Sequence, residues 1–442
     1  MKVVILGGGF GGLKTAMNLD NRKGIEVLLI DRFNYHQFQP LFYQVATAGL
    51  DASNISFPLR KVFHNSKNVR IRIADIIEVQ HANKIVVTST GEYPYDLLVI
   101  AMGAETNFFG NEQIAGNAWP MKSTVEALRI RHHLIQNFEN ALEETDPVKL
   151  KELLTIVIVG GGPTGVELAG AIAEMKNWVL PKDYPELDFS QMKIYLVEGM
   201  DKVLAVMSPE SSARSAKYLE ELGVEVLTNA MVQYYDGEHL SFKDGSTIGS
   251  RTVIWAAGIK GNIPYGIPEN TVTKGNRIIV DEFNRVKGYA DIYAVGDIAY
   301  METAAYPKGH PQIAPVALDQ AKLLCKNLLH QMKNEPMTPF IYHHKGSMAT
   351  VGRHRAVADI PKPLLHIGGF LAWFAWLALH LFQIVGVKNR LFVFMNWIYH
   401  YFTFDQSLRL IFREFNTPAD LVREKTSTEK KNPALSSSSD LH

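Results

Sequence analysis

The chain has 442 residues, 47% of them apolar, and its 45 basic and 45 acidic side chains give a formal net charge of zero. This length and composition predict a globular protein of two or three domains. The balanced charge gives no electrostatic reason to expect a nucleic-acid partner. The single cysteine, Cys325, excludes a disulfide framework, a CxxC redox pair and a cysteine-rich metal site within one chain.

The chain begins with a strand, a glycine-rich turn, a helix and a second strand. The turn contains a GxGxxG frame and one further glycine: Gly7, Gly9, Gly11 and Gly12. In this motif the glycines permit a tight turn, let a pyrophosphate approach the backbone and let the helix pack on the strand. An acid about 20 residues further on accepts hydrogen bonds from ribose hydroxyls, and Asp31 has that position here. The opening stretch therefore predicts a dinucleotide site without identifying the dinucleotide.

The loop from residue 32 to 50 is rich in aromatic residues and ends in small ones. It is either a packed surface loop or a cover for the flat ring system of a cofactor. Short alternating strands are predicted in residues 69–88 and 92–101, and the last of them ends at Ala101 and Gly103. We expect a linker from residue 104 to 120 and then a polar helix from about Ser123 to Glu144, with His132 and His133 on its solvated face.

The opening pattern returns at Thr155. A second apolar strand leads to another GxGxxG frame, made by Gly160, Gly162 and Gly165, and a helix begins near Pro163. The next strand ends at Glu198, and residues 177–192 before it look like an insertion. An acid at this position accepts the 2′-hydroxyl of NAD and repels the 2′-phosphate of NADP. The second copy therefore predicts a site that prefers NAD.

Two later strands also end in small residues. One ends at Ala257 and Gly258, as the earlier strand does at Gly103, and the other ends at Gly296 and Asp297. Two dinucleotide folds in one chain predict two nucleotides bound face to face; the alternative is that one copy is only structural. A protein with two dinucleotides usually moves electrons between them, and FAD with NAD(H) is the economical pair.

These patterns resemble the two-dinucleotide-binding-domain flavoproteins, in which the first fold holds FAD and the inserted second fold holds NAD(P)H. Within them, the chain is similar to the type II NADH dehydrogenases, single-chain NADH:quinone oxidoreductases that do not pump protons. This resemblance extends from Lys2 to about Phe415. It rests on VVILGGGFGG, PLFYQVATAGL, VIVGGGPTGVELAG, IYAVGDIA and an aromatic C-terminal segment. Disulfide reductases and sulfide:quinone oxidoreductases are disfavoured, because both rely on cysteines.

The resemblance implies an α/β fold with two Rossmann-like dinucleotide-binding domains, the second inserted in the first, and a C-terminal helical membrane-docking segment. The expected domains are an FAD-binding domain in two parts (1–115 and 278–364), an NADH-binding domain (116–277), membrane-associated helices (365–424) and a disordered tail (425–442).

The resemblance also implies which residues contact each nucleotide. The expected FAD contacts are Gly7, Gly9, Gly11, Gly12, Asp31, Arg32, Gln44, Thr47, Ala101, Gly103, Gly296, Asp297 and Ala317. Pro40, Leu41 and Ala46 would also lie near the flavin. The expected NADH contacts are Gly160, Gly162, Thr164, Gly165, Glu198, Ala257 and Gly258.

Three residues are candidates for catalysis by the same resemblance. Glu167 matches the family's acid near the nicotinamide and isoalloxazine, although an acid is also favoured in a first helical turn by the helix dipole. Gln320 remains from the family's AQxAxQQG motif, from which Pro315 and Asp319 depart, so the way the quinone is held stays open. Lys345 either steadies negative charge on a reduced flavin or is a solvated surface lysine. No metal site is expected.

The residues from 367 to 387 include no Asp, Glu, Lys or Arg. That length is sufficient for a membrane span, but His380 and Gln383 lie within it and its tryptophans suit a membrane interface. Interfacial docking is favoured over a role in a core or dimer interface and over a span. A short amphipathic helix is predicted further on, with an apolar face of Leu408, Ile411, Phe412 and Phe415 and a basic face of Arg409 and Arg413.

We therefore expect an enzyme that transfers hydride from NADH to FAD and then two electrons to a membrane quinone, without proton pumping. The alternative is an NADH-binding flavoprotein with a soluble electron acceptor or with a sensor or interaction role. Because the first strand begins at Lys2, we expect no signal peptide and a peripheral position on the lipid surface of the cytoplasmic face of the cell membrane. The sequence leaves open which quinone is used and whether the protein is a homodimer.

Overall fold

Two parallel sheets, each built around one glycine-rich turn, organise the computed structural model of the protein, which describes residues 1–361, 363–406 and 408–411. The elements of the first third of the chain are β1 (Lys2–Leu6), α1 (Phe10–Leu19), β2 (Glu26–Asp31), β3 (Tyr35–Gln37), α2 (Phe42–Ala46), β4 (Ser56–Pro58), α3 (Leu59–Val62), β5 (Val69–Ile73), β6 (Ile76–Gln80), β7 (Ile85–Thr88), β8 (Gly91–Pro94), β9 (Leu97–Ile100), β10 (Ala104–Thr106), α4 (Glu112–Asn117) and β11 (Trp119–Pro120).

The elements of the middle third are α5 (Thr124–Glu143), α6 (Pro147–Leu153), β12 (Thr155–Val159), α7 (Pro163–Glu174), α8 (Leu180–Asp183), β13 (Lys193–Val197), α9 (Pro209–Glu221), β14 (Glu225–Leu227), β15 (Val232–Tyr235), β16 (His239–Phe242), β17 (Thr247–Gly249), β18 (Thr252–Trp255) and β19 (Ile259–Gly261). The remaining elements are β20 (Ile278–Val280), β21 (Ile292–Ala294), β22 (Ala299–Met301), α10 (Ala314–Met332), β23 (Ser347–Thr350), β24 (Ala356–Pro361), β25 (Leu364–Gly368), α11 (Phe370–Gln383) and α12 (Val387–Thr403).

The first sheet has the strand order β21-β9-β1-β2-β5, and all of its pairings are parallel. Side chains alternate across a strand, so β1 contributes Val3 and Ile5 to the apolar core beneath α1 and α10, and Val4 and Leu6 to the core on the opposite face. Both faces are therefore buried, as a parallel sheet requires.

The second sheet has the order β11-β18-β12-β13-β14 and is also parallel throughout. All five residues of its central strand β12 are buried. Because β9 precedes this sheet in the chain and β21 follows it, the second sheet is inserted in the first. The predicted α/β fold with two dinucleotide-binding sheets is confirmed.

Two details differ from the expectation. Residues 104–120 are not a plain linker, because β10 pairs with β19 and β11 joins the second sheet through β18. Strands this short leave too little hydrophobic alternation to be recognised in sequence.

His133 is not on a solvated face. Its Nε2 lies 3.0 Å from the Arg251 carbonyl oxygen, and its ring packs on Trp119, because α5 lies against the second sheet.

The C-terminal part begins with an antiparallel sheet, β23-β24-β25, which α11 contacts. Gly369, with φ of 74°, precedes α11, and Gly386, with φ of 89°, precedes α12, so the apolar stretch is divided. Among residues 1–361, 363–406 and 408–411, no helix has both the length and the apolar character needed to cross a membrane.

Residues 408–411 are not helical, so the short amphipathic helix is wrong for Leu408, Arg409 and Ile411. Helical periodicity in the sequence was not matched there by helical backbone. The rest of that predicted helix, including Phe412, Arg413 and Phe415, and the predicted disordered tail lie outside the described residues.

One glycine contact joins the inserted sheet's helix α7 to the C-terminal sheet. A Cβ at Gly170 would lie 2.7 Å from the backbone nitrogen of Gly352, just after β23. Only glycine lets these two backbones come so close.

We expect Gly170→Ala to lower the thermal unfolding midpoint by several degrees, because backbone must shift to admit the methyl group, at a cost of about 1–3 kcal/mol. Gly116→Ala is the matched control: Gly116 lies in helix α4 and its added Cβ would meet nothing within 4 Å, so that variant should be unchanged or slightly stabilised. Equal midpoints for the two variants, measured on the full chain, would contradict the assigned contact.

Candidate active site

The turn after β1 is closed where the fold packs and open where a ligand would approach. A Cβ at Gly7 would lie 2.4 Å from the Ala101 carbonyl oxygen, and one at Gly12 would lie 1.8 Å from the Gly7 carbonyl oxygen. A Cβ at Gly9 would meet nothing within 4 Å, and Gly9 stands at the N-cap of α1. The turn thus forms a cradle at a helix N-terminus, the usual seat of a pyrophosphate.

Asp31 is fixed beside this turn by two backbone donors. Its Oδ2 accepts a hydrogen bond from Gly8 N at 2.5 Å, and its Oδ1 accepts one from Phe33 N at 2.7 Å. Burial raises the pKa of Asp31, although the two N–H donors oppose that change. The neighbouring Arg32 points to the surface, where its Nε lies 3.5 Å from Asp75.

The ends of the adjacent strands β9 and β21 bring further predicted residues to the same edge of the sheet. Gln320 of α10 is buried, and its Oε1 accepts a hydrogen bond from Gly296 N at 2.8 Å. Ala317 lies against Gly296: a Cβ added at Gly296 would be 3.2 Å from the Ala317 Cβ. Ala101 and Gly103 follow β9, next to β1. The carboxyl edge of the first sheet therefore gathers much of the predicted FAD set.

Lys122 is a residue of this region that sequence reasoning missed. Its Nζ lies 3.7 Å from Asp297 Oδ2 and 3.4 Å from Gln39 Oε1. It therefore connects the strand end after β21 to the start of the aromatic loop. No motif indicated it, because Lys122 lies in the irregular segment between β11 and α5.

The second turn repeats the geometry of the first. A Cβ at Gly160 would lie 2.5 Å from the Ala256 carbonyl oxygen, one at Gly165 would lie 1.9 Å from the Gly160 carbonyl oxygen, and one at Gly162 would meet nothing within 4 Å. Glu198 accepts hydrogen bonds from Gly161 N at 2.6 Å and from Met200 N at 2.8 Å, as Asp31 does in the first turn.

Two further predicted groups flank the second turn. Thr164 is exposed in the first turn of α7. Ala257 and Gly258 follow β18, which is paired with β12. All the predicted NADH residues therefore lie around the carboxyl ends of β12, β13 and β18.

Glu167 is buried on α7 and belongs to a chain of polar contacts. Its Oε1 is 3.4 Å from Thr350 N, and burial raises its pKa to about 8. The Tyr43 and Thr350 hydroxyls are 3.2 Å apart, and Gln44 donates a hydrogen bond to Tyr43. Trp397 of α12 donates to Gln44 Oε1 at 2.8 Å. The sequence indicated Glu167 and Gln44; it missed Thr350 and Tyr43, which connect them, and Trp397, which extends the chain to α12.

A cavity lies between α2, α7, β23 and the C-terminal helices α11 and α12. It touches the aromatic loop through Gln44 and Thr47, α11 through Trp376 and α12 through Trp397. Gln44 and Thr47 are predicted flavin contacts, so the cavity extends from the C-terminal helices to the loop assigned to the cofactor.

Lys345 is the least supported of the predicted catalytic groups. Its Nζ forms an ion pair with Asp319 Oδ2 at 2.8 Å, and both side chains are substantially exposed. Asp319 is one of the two positions that depart from the AQxAxQQG motif. The other, Pro315, lies in the first turn of α10, where proline needs no hydrogen-bond partner. A role of Lys345 at the flavin stays a prediction.

Known protein families cover most of the chain. The family described as pyridine nucleotide-disulphide oxidoreductase matches residues 1–321, and the NDH2 C-terminal domain matches residues 344–403. A type II NADH:quinone oxidoreductase of Mycobacterium tuberculosis, NdhA, is 35% identical, with 90% of this chain and 86% of the relative covered. One from Haemophilus influenzae is 29% identical over 86% of this chain and 92% of its own length.

Solved structures share the fold. NDH2 from Plasmodium falciparum, solved in complex with NADH, has a TM-score of 0.85 at 22% identity and covers 93% of this chain and 99% of its own. A sulfide:quinone oxidoreductase from Aquifex aeolicus has a TM-score of 0.69 at 18% identity, covering 91% of this chain and 95% of its own. The family matches and the mycobacterial relative together show that the chain belongs to the type II NADH:quinone oxidoreductases.

Proposed function

We propose that this chain oxidises NADH and reduces a membrane quinone through bound FAD, without pumping protons. The observation that carries the proposal is the pairing of two dinucleotide turns with a cavity that joins the predicted flavin loop to the C-terminal helices. Its relatives are quinone oxidoreductases by name. A soluble electron acceptor or a sensor role is therefore not favoured.

The first fold fits FAD. The open space at Gly9 and the free N–H groups at the start of α1 suit a pyrophosphate. Asp31 stands where ribose hydroxyls would approach, and Asp297 follows β21 on the ribityl side. Gln44 and Thr47 would border the ring system. Bound FAD supplies the two-electron carrier between NADH and quinone.

The second fold fits NADH for the same geometric reasons, with Gly162 open to a pyrophosphate and Glu198 as the ribose acceptor that favours NAD. Glu167 follows this turn on α7. With a pKa near 8, its carboxyl is protonated at neutral pH, so it adds no negative charge where hydride transfer delivers electrons.

The quinone would bind in the cavity. Trp376, Trp397 and Tyr43 give it aromatic walls, and Gln44 gives it an amide among them. A quinone has a flat apolar ring with two carbonyl oxygens, so a site that combines aromatic walls with polar side chains is chemically suited to it. The domain limits of 1–115, 116–277, 278–364 and 365–424 are part of the same proposal.

The C-terminal helices would dock the protein on the membrane. Leu371 and Phe374 of α11 and Val387 and Phe402 of α12 are 62–80% exposed, although they are large and apolar. Exposed apolar surface of this extent is unusual for a protein surface that stays in water. The cytoplasmic face of the cell membrane is the proposed location, and a homodimer is compatible with it.

The purified holoprotein should oxidise NADH rapidly only when a quinone analogue is present, and much more slowly with NADPH because of Glu198. NADH should bleach the flavin absorbance, and the quinone should restore it. Flavin that NADH reduces and quinone fails to reoxidise would reject the quinone half of the proposal.

Gly12→Ala and Gly165→Ala change equivalent positions of the two glycine turns, so together they test which fold binds FAD and which binds NADH. Each methyl group would lie less than 2 Å from a carbonyl oxygen of its own turn. We expect Gly12→Ala protein to purify with little flavin, and Gly165→Ala protein to keep its flavin while its NADH KM rises about tenfold or more. Flavin loss from the Gly165 variant alone would reverse the assignment of the folds.

Membrane docking predicts that Leu371→Asp with Phe402→Asp weakens sedimentation with anionic phospholipid vesicles at least about tenfold, because burying each apolar side chain contributes roughly 1.5–3 kcal/mol. Val206→Asp is the control, since Val206 is 83% exposed but lies outside the C-terminal helices. Unchanged vesicle binding by the double variant would reject docking through α11 and α12.

A further inference from the structure

A second acid on α7, Glu174, faces the cavity. It follows Glu167 by seven residues, so both lie on one side of the helix together with Ala171. Glu174 and Ala171 line the cavity, whereas Glu167 is not among the residues that line it. Of the two acids, the one that lines the cavity is therefore Glu174, which no sequence motif indicated.

The carboxylate of Glu174 is held by the loop after β23. Its Oε1 accepts a hydrogen bond from the backbone nitrogen of Arg353. The Arg353 guanidinium extends away to α12, where it donates to the carbonyl oxygens of His400 at 2.6 Å and Tyr401 at 2.7 Å. The arginine thus fixes both Glu174 and the last turn of the helix that forms one wall of the cavity.

Burial raises the pKa of Glu174 to about 7, and Arg353 and Arg355 offset part of that rise. Arg355 also pairs with Glu221 of α9 at 3.0 Å. Burial lowers the pKa of His400 to about 4, so it is neutral here at physiological pH. The titratable groups around Glu174 are Glu167 on its own helix, Tyr43 from α2, Arg353 and Arg355 from the segment between β23 and β24, and His400 and Tyr401 from α12.

Two buried polar atoms point to a ligand in this space. Gln406 is 3% exposed and lines the cavity, yet its Oε1 has no hydrogen-bond partner among the described residues. The same holds for Arg353 Nε. Buried polar groups are rarely left unpaired without a reason. Water would satisfy both atoms; a quinone carbonyl would accept a hydrogen bond from Arg353 Nε, and a quinol hydroxyl would donate one to Gln406 Oε1.

Reduction of a quinone by NADH consumes one proton from the medium. NADH gives a hydride, which carries two electrons and one proton, and the quinone needs two electrons and two protons to become a quinol. We propose that Glu174 supplies the second proton to the cavity and is then reprotonated from solvent. This rests on the proposed function, and it assigns the proton step to an acid different from Glu167.

The test is Glu174→Gln in the FAD-loaded enzyme, assayed with a water-soluble quinone and, separately, with ferricyanide, which accepts one electron and no proton. We expect kcat with quinone to fall about tenfold or more, while flavin reduction by NADH and turnover with ferricyanide stay unchanged. In the wild type, the quinone rate should decline as pH rises through about 7, because Glu174 loses its proton there. The variant should lack that decline.

Two controls address structure. Glu174→Asp keeps a carboxyl and should recover part of the quinone rate, with the decline shifted to lower pH because aspartate has a lower pKa than glutamate. Glu221→Gln removes the acid that pairs with Arg355 and should behave as the wild type.

Infrared difference titration gives a readout that is independent of turnover. A carboxyl C=O band titrating near pH 7 should be present in the wild type and absent from Glu174→Gln.

The outcomes are distinct. A Glu174→Gln enzyme with the wild-type quinone rate and pH profile overturns the proposal, and so does an equal loss with quinone and ferricyanide, which marks a structural role. If Glu174→Gln does not fold, a Glu174→Asp enzyme with an unshifted pH profile, or the absence of the infrared band from the wild type, overturns it. Failure of the wild type to reduce any quinone rejects the proposed function instead.

Discussion

The contact on which the site depends is the approach of α7 to the backbone after β23. Glu167, Gly170, Ala171 and Glu174 share one side of α7, and Gly170 lets that side reach Gly352. The helix that begins at the second dinucleotide turn thereby meets the C-terminal sheet directly. Glu167 is buried and Glu174 is partly buried, and desolvation is the main cause of their raised pKa values.

Side-chain hydrogen bonds also connect the C-terminal helices to the cavity beside α7. Trp397 orients the Gln44 amide from one side, and Tyr43 receives its N–H on the other. Arg353 holds the final carbonyl groups of α12, where a cation is favourable against the helix dipole. A helix proposed to lie on a membrane therefore also forms a wall of the cavity proposed for quinone, so a change in how α12 is seated alters the site itself.

The sequence predicted what depends on local pattern. Gly7, Asp31, Gly160 and Glu198 were found because each glycine turn lies between a strand and a helix within one short segment. The contacts of Tyr43 with Thr350 and of Gln44 with Trp397 join positions more than 300 residues apart, so no local spacing reports them. In the sequence, Glu174 looked like an ordinary helical acid. It lies on the same face of α7 as Glu167, and the sequence does not show that β23 packs on this face.

The two acids of α7 are expected to differ in role because their surroundings differ. Glu167 has a raised pKa and is not among the residues that line the cavity, so it holds its proton near neutral pH. Glu174 borders the cavity and has a pKa near the working pH, which is the condition for rapid loss and regain of a proton. Two negative charges on one buried helix face repel each other. Ionisation of Glu174 therefore favours a neutral Glu167, and only one of the two needs to cycle during turnover.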